Sequence, residues 1–198
     1  MTTGEAETIA EAKRTLRKRA RARRSEAREA AGPGAADAAA RNFFDAITPP
    51  AGCVVSGYWP MNDEFDVRPL LAALYARGHG CGLPVVAGKG RPLVFRAWTP
   101  ETALVPAAFG ISVPPEDAPE VTPALLLVPL LAFDDRGYRL GYGGGFYDLT
   151  LARLRAGRGA VLAVGVAFDG QRVDAVPAGA SDQPLDWVVT EARALEVA

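Results

Sequence analysis

Four short runs dominated by apolar residues set the architecture: Cys53-Val54-Val55-Ser56-Gly57-Tyr58, Leu125-Leu126-Leu127-Val128-Pro129, and the stretches 160–167 and 186–190. A strand with one wet face alternates apolar and polar residues, whereas a strand covered on both faces reads as a continuous apolar run. Helical patterns lie between these runs. Residues 66–77 predict a helix, with Asp66 near its start, Pro69 in the first turn and Gly78 as its stop. Short strands are expected at 81–86 and 92–98, and the proline-rich stretch 99–123 reads as an extended surface crossing with little regular structure. Strands bounded by helices in this way predict an α/β fold around a mostly parallel sheet, covered on both faces. With no internal repeat and no linker, the 198 residues read as one domain, large enough to bury a core without metal or disulfide staples.

Scarcity excludes several chemistries. The chain has one histidine and two cysteines. A structural zinc site needs about four Cys or His ligands, and only Cys53, His79 and Cys81 are present. A histidine-based nucleophile would have to run through His79, in the turn-like run Arg77-Gly78-His79-Gly80, where a satisfied loop histidine is the simpler reading. Two unpatterned cysteines point to reduced thiols and a cytosolic setting. No run approaches the ~20 apolar residues of a membrane span. The polar, arginine-rich start is no secretory signal, and Glu5, Glu7 and Glu11 argue against a transit peptide. A soluble, cytoplasmic protein is expected.

Charge is unevenly spread: residues 1–30 hold nine Lys/Arg against five Glu, in a chain of net charge −1. The run Glu7 to Arg28 lacks Gly and Pro and is rich in Ala, Arg and Glu, so it predicts a helix. Gly32-Pro33-Gly34 ends it, and a shorter helix is expected over 35–47. Ile9, Ala12, Leu16 and Ala20 form a thin apolar stripe, while Lys13, Arg17, Arg21, Arg24 and Arg28 share a basic face. That face has three readings: a solvated, Glu-balanced surface, a nucleic-acid contact that the overall charge supports poorly, or a phosphate site needing only Lys13 and Arg17, one turn apart.

The chemistry concentrates in Arg139-Leu140-Gly141-Tyr142-Gly143-Gly144-Gly145-Phe146-Tyr147-Asp148. Four glycines in five positions let a backbone approach a ligand closely, and a helix over Leu149 to Arg155 would place its positive end beside them. The loop matches neither G-x-G-x-x-G, because Phe146 stands sixth, nor the P-loop, because no Gly-Lys-Ser/Thr follows. A tight strand-to-helix turn and a phosphate cradle both remain open. Asp148 suits the first turn of a helix, or Mg²⁺, which at phosphate sites takes one or two carboxylates. Asp182 is a second such carboxylate, or a turn residue. Asp63, Glu64 and Asp66 cluster after the first apolar run; helix capping accounts for Asp66 more readily than for Glu64.

Ala12-Lys13-Arg14-Thr15-Leu16-Arg17, Pro60-Met61-Asn62-Asp63-Glu64, Leu127-Val128-Pro129-Leu130-Leu131-Ala132-Phe133-Asp134 and the block Gly137 to Asp148 together resemble the 5-formyltetrahydrofolate cyclo-ligase family, from about Lys13 to about Val189. Val164-Gly165-Val166-Ala167-Phe168-Asp169, Gln171 and Asp182 continue the same order. The resemblance implies a three-layer α/β/α fold preceded by the basic helix. It also implies a reaction in which ATP and 5-formyltetrahydrofolate give 5,10-methenyltetrahydrofolate, ADP and phosphate, with Mg²⁺. The formyl oxygen attacks the γ-phosphate, and N10 then closes the ring as phosphate leaves.

Carried onto this sequence, the resemblance implies that Lys13, Arg14, Arg17, Arg139 and the segment Gly141, Tyr142, Gly143, Gly144, Gly145, Phe146 and Tyr147 bind ATP. Asp148 and Asp182 would bind Mg²⁺. Trp59, Glu64, Tyr142, Phe146 and Tyr147 would line the folate pocket, and Arg139 and Tyr147 would act in catalysis. Four positions depart from the family pattern: Ser181 stands where many members carry histidine, Tyr142 and Gly144 where some carry basic residues, and Leu149 where arginine is frequent. These departures motivate an alternative, a folate- or nucleotide-binding paralogue that senses or buffers its ligand. The expected partner is a small molecule, with no nucleic acid and no membrane, bound by a monomer.

Overall fold

A computed structural model describes residues 3–107, 110–157 and 160–197. The basic segment forms helix α1 (Thr3–Ala31), followed by α2 (Ala35–Ala46), β1 (Val54–Ser56), α3 (Arg68–Ala76), β2 (Gly80–Val85) and β3 (Val94–Trp98). Three two-residue strands follow, β4 (Val105–Pro106), β5 (Ser112–Val113) and β6 (Glu120–Val121). The second half contains β7 (Leu125–Pro129), β8 (Ala132–Phe133), β9 (Arg139–Leu140), α4 (Phe146–Arg155), β10 (Leu162–Val166), β11 (Trp187–Val189) and β12 (Ala194–Glu196).

The eight-stranded sheet has the order β12-β11-β10-β7-β1-β2-β3-β6. The five central strands, β11 to β2, run parallel, and antiparallel strands close both edges. Alternation sorts the core into two layers. Leu125 and Leu127 face Phe43 of α2 and Leu71 and Leu74 of α3, while Leu126 and Val128 face Leu151 of α4 and Phe95 of β3. The result is the expected three-layer α/β/α arrangement. Nearly all these side chains are removed from water, and complete burial of a single leucine contributes about 1.5–3 kcal/mol.

Connectivity places a crevice. From β1 the chain goes to β2 on one side, and from β7 to β10 and β11 on the other. Loops leaving the carboxyl ends of β1 and β7 therefore diverge, which is where open α/β sheets bind ligands. Helix α1 crosses this same edge. Its Leu16 and Ala20 pack on Leu131, Ala132 and Leu140 of the β8–β9 hairpin. Farther along, Ala27 lies so close to Gly170, in a 3₁₀ turn after β10, that a Cβ there would stand 2.7 Å from the Ala27 Cβ.

Several expectations are corrected. The default reading of the basic face as solvated holds only in part: Arg21 and Arg28 are exposed, but Lys13 and Arg17 are half-buried and Arg24 is 4% exposed, because that part of the face docks on the protein. Helix α3 starts at Arg68 with Val67 as its N-cap; Asp66 instead accepts the Arg68 amide and pairs with the Arg68 guanidinium. Helix α4 begins at Phe146, three residues ahead of the expected Leu149. The β8–β9 hairpin and β12 add to the expected strands, and 99–123 carries β4, β5 and β6. His79 is buried, with Nδ1 3.3 Å from the Cys53 carbonyl and 3.6 Å from its Sγ, so it is a satisfied histidine. Both cysteines are free. Among the described residues, no helix is long and apolar enough to cross a membrane.

Candidate active site

Three segments meet over the crevice. From α1, the Lys13 ammonium reaches Asp182 Oδ1 at 2.5 Å, and Arg17 Nε donates to the Gly141 carbonyl at 2.9 Å. The glycine loop passes directly under Arg17: a Cβ at Gly143, where φ is 105°, would lie 3.4 Å from the Arg17 guanidinium carbon. Only glycine readily takes that backbone angle. Glycines 143–145 are exposed, as a loop must be if its backbone is to meet a ligand.

The loop runs into α4 through Gly145, which occupies the left-handed region at φ 68° as the helix N-cap. Asp148 therefore sits in the first turn. Its Oδ1 accepts from Arg139 Nη2 at 2.7 Å and from the Gln183 amide at 3.0 Å, and Arg139 Nη1 donates to the Gln183 carbonyl at 2.5 Å. Asp148 and Asp182 thus share one corner, since Asp182 is the residue before Gln183 and its Oδ2 accepts the Gly179 amide. Burial pulls the Arg139 guanidinium below its ordinary value, against the nearby charges of Asp148 and Asp182. Burial and Arg21 likewise lower Arg17, opposed by Asp182. Three cations and two carboxylates converge, leaving a positive excess suited to a polyanion.

On the other side, Glu64 is buried, at 8% exposure. Its Oε1 accepts the Tyr142 hydroxyl at 2.6 Å and its Oε2 the Met61 amide at 2.8 Å. The Tyr147 hydroxyl is buried without a hydrogen-bond partner among the described residues. Burial first, then the charge of Glu64, push both phenols upward, so each remains a neutral donor. Phe146 crowds Gly144, where a Cβ would stand 2.6 Å from the ring. Trp59 tilts against Trp98, ring centroids 6.4 Å apart, under the Arg68 guanidinium.

Lys13, Arg17, Arg139, the glycine loop, Asp148 and Asp182 are therefore gathered together, with Glu64, Tyr142 and Tyr147 beside them. Arg14 is not: it is exposed and pairs with Glu11 at 3.1 Å, on another face of α1. Arg24 belongs to the assembly although its sequence context singled out no role for it. The signal was its spacing, since residues 13, 17 and 24 fall on one helical face.

A model of the 5-formyltetrahydrofolate cyclo-ligase family matches residues 9–191. The chain belongs to this family. It is 36% identical over 150 residues to the 5-formyltetrahydrofolate cyclo-ligase of Escherichia coli K12, covering 72% of this chain and 80% of that protein. The Mycolicibacterium smegmatis enzyme of the same name is 35% identical over 156 residues, covering 73% and 77% respectively. The solution structure of Aquifex aeolicus 5,10-methenyltetrahydrofolate synthetase superposes with a TM-score of 0.72 at 30% identity, covering 93% of this chain and 92% of that one. Helix α1 falls within the matched span from residue 9 onward, so the cyclo-ligase unit includes the cations that cross the crevice.

Proposed function

We propose that this cyclo-ligase closes 5-formyltetrahydrofolate to 5,10-methenyltetrahydrofolate at the expense of ATP, releasing ADP and phosphate. The observation that carries the reading is the convergence of α1 with the glycine loop: Lys13 beside Asp182 and Arg17 on Gly141, next to the Arg139–Asp148 pair. Membership of the family supplies the substrate.

In this reading Lys13, Arg17 and Arg139 hold the phosphates, with the backbone of Gly141 to Gly145. Arg14 lies outside the cradle. Asp148 and Asp182 fit Mg²⁺, since two carboxylates beside a phosphate site are its usual protein ligands. Both are now ion-paired, to Arg139 and Lys13. Incoming phosphates would draw those cations while the freed carboxylates turned to the metal, which neutralises charge on the phosphates. Glu64 accepts the N–H donors of the pterin, and Trp59, Phe146 and Tyr147 line its pocket.

The chain's contribution is positioning and charge stabilisation. Formyl oxygen attacks the γ-phosphorus as the bond to ADP breaks, leaving phosphate on a carbon now open to N10. Attack by N10 forms the second C–N bond, the N10 proton passes to solvent, and phosphate departs with the former formyl oxygen. Arg139 steadies the charge on the transferring phosphoryl group. The Tyr147 hydroxyl, buried and unpartnered among the described residues, is available to donate to a substrate oxygen. The purified protein, given 5-formyltetrahydrofolate, ATP and Mg²⁺, should develop the near-ultraviolet band of the methenyl product with one ADP per turnover. Ligand binding without ADP release would overturn the reading in favour of a sensor.

A further inference from the structure

Arg24 has no part in the phosphate cradle, yet no other cation of α1 is buried among the described residues. Its guanidinium spans two loops. Nη1 donates to the Tyr142 hydroxyl and Nη2 to Asp63 Oδ1, whose other oxygen accepts the Ser25 hydroxyl at 2.6 Å. The Tyr142 hydroxyl in turn donates to Glu64 Oε1. Direction is fixed by the inventory of protons: arginine can only donate, so the single phenolic hydrogen must go to the carboxylate. The chain Arg24 to Tyr142 to Glu64 is thus polarised toward Glu64, and each bond strengthens the next.

Docking α1 on the loop after β1 would need only the Arg24–Asp63 arm. The second arm holds a tyrosine that is 41% exposed overall although its hydroxyl is buried between Arg24 and Glu64. That arm serves Glu64. With Oε1 and Oε2 anchored by Tyr142 and Met61, the carboxylate plane is fixed from both ends, and each oxygen keeps one further acceptor site. A carboxylate held in this way presents two parallel acceptors to a pair of adjacent N–H groups. Arg24 is already committed to a carboxylate and a phenol, which distinguishes it from Lys13 and Arg17 as a phosphate ligand.

We propose that Arg24 and Tyr142 are positioning residues for the folate half of the cleft, orienting Glu64 toward the paired N–H donors of the pteridine ring. The inference rests on reading Glu64 as the acceptor of those donors. It concerns recognition of one substrate and not of the other.

Steady-state kinetics of Arg24→Gln, Tyr142→Phe and Glu64→Gln, with each substrate varied in turn, test it. Tyr142→Phe and Arg24→Gln should each raise KM for 5-formyltetrahydrofolate about tenfold, the loss expected for a hydrogen bond to a charged group. KM for ATP and kcat should stay within about twofold. Because both act through one carboxylate, the double variant should be no worse than the weaker-binding single variant. Equal increases in both KM values would overturn the proposal in favour of a purely structural role, as would no change in either. If Arg24→Gln fails to fold, Tyr142→Phe, which removes one hydroxyl from an exposed ring, decides alone. Glu64→Gln separates the two layers of the argument. If it leaves the folate KM unchanged, the reading of Glu64 itself falls. If it raises that KM while Tyr142→Phe does not, only the relay falls.

Discussion

Lys13 and Asp182, 169 positions apart in sequence, meet in an ion pair of 2.5 Å whose side chains are each 17% exposed. The pair closes the molecule across the crevice, joining the first helix to the loop before the last parallel strand. In the proposed reaction it is also a relay, because a phosphate that takes Lys13 releases the Asp182 carboxylate.

Lys13→Ala should weaken ATP binding by about 1.5–3 kcal/mol, the range for hydrogen bonds to a charged partner. Titration calorimetry would show this as a roughly ten- to hundredfold rise in Kd. Without ligand, Asp182 keeps its bond from the Gly179 amide, so the fold should persist. Unchanged ATP affinity would remove Lys13 from the phosphate cradle.

Two glycines of the loop should differ in how much a substitution costs. Gly143 holds φ at 105°, and a Cβ there would stand 3.4 Å from the Arg17 guanidinium carbon, so Gly143→Ala adds backbone strain and displaces the guanidinium. A loss of about 1–3 kcal/mol in stability is expected, with weaker ATP binding. Gly145 sits at φ 68°, and a Cβ there would meet nothing within 4 Å. Asparagine tolerates that region, so Gly145→Asn should cost about 1 kcal/mol or less. Urea unfolding of the two variants checks the contrast, and equal losses would contradict it.

The contrast also shows how far the sequence could be read. The glycine block was legible as a strand-to-helix loop because glycine density reports backbone freedom locally, and Leu125–Pro129 was legible because burial on both faces leaves an unbroken apolar run. The β8–β9 hairpin was not. Its turn is organised by Asp134, whose carboxylate accepts the amides of Arg136, Tyr138 and Val176, the last 42 residues away. Strand β12 is three residues with a polar end at the sheet edge, too short for any periodicity. Arg24 lay hidden for a related reason: α1 shows five cations on one face, and which are buried depends on Asp63 and Tyr142, 39 and 118 residues distant.

Acid should loosen the docking of α1. Burial would raise the Asp63 carboxyl, but the hydrogen bonds from Arg24 and Ser25 outweigh it and hold the group below its ordinary 3.8. A carboxyl depressed by folding contributes stability that is fully present above its unfolded value and is lost as pH falls through its folded value. Asp63→Asn should therefore be less stable than the wild type at neutral pH by an amount that stays constant down to the ordinary aspartate range and shrinks below it. Urea midpoints of both proteins across the acid range measure the difference, in which the other depressed carboxyls, Asp66 and Asp135, cancel. A gap independent of pH throughout would show that Asp63 is not the titrating group.

The amino end of α4, which carries Tyr147 and Asp148, is held by a buried threonine. Thr150 is 0% exposed; its hydroxyl donates to the Phe146 carbonyl at 2.6 Å and accepts the Leu93 amide at 2.9 Å. Thr150→Val preserves shape and β-branching but leaves the Leu93 N–H buried without a partner, a loss of about 1–3 kcal/mol. Thr150→Ser keeps the bond and gives up a methyl group, about 1 kcal/mol in a packed site. Hydrogen exchange separates the two effects better than global stability does. Exchange at the Leu93 amide should accelerate in the valine variant beyond the change in overall unfolding, whereas in the serine variant it should follow that change alone. If the valine variant protects Leu93 as well as the wild type does, the helix is held by its apolar contacts, and Asp148 does not depend on this hydroxyl for its place beside Arg139.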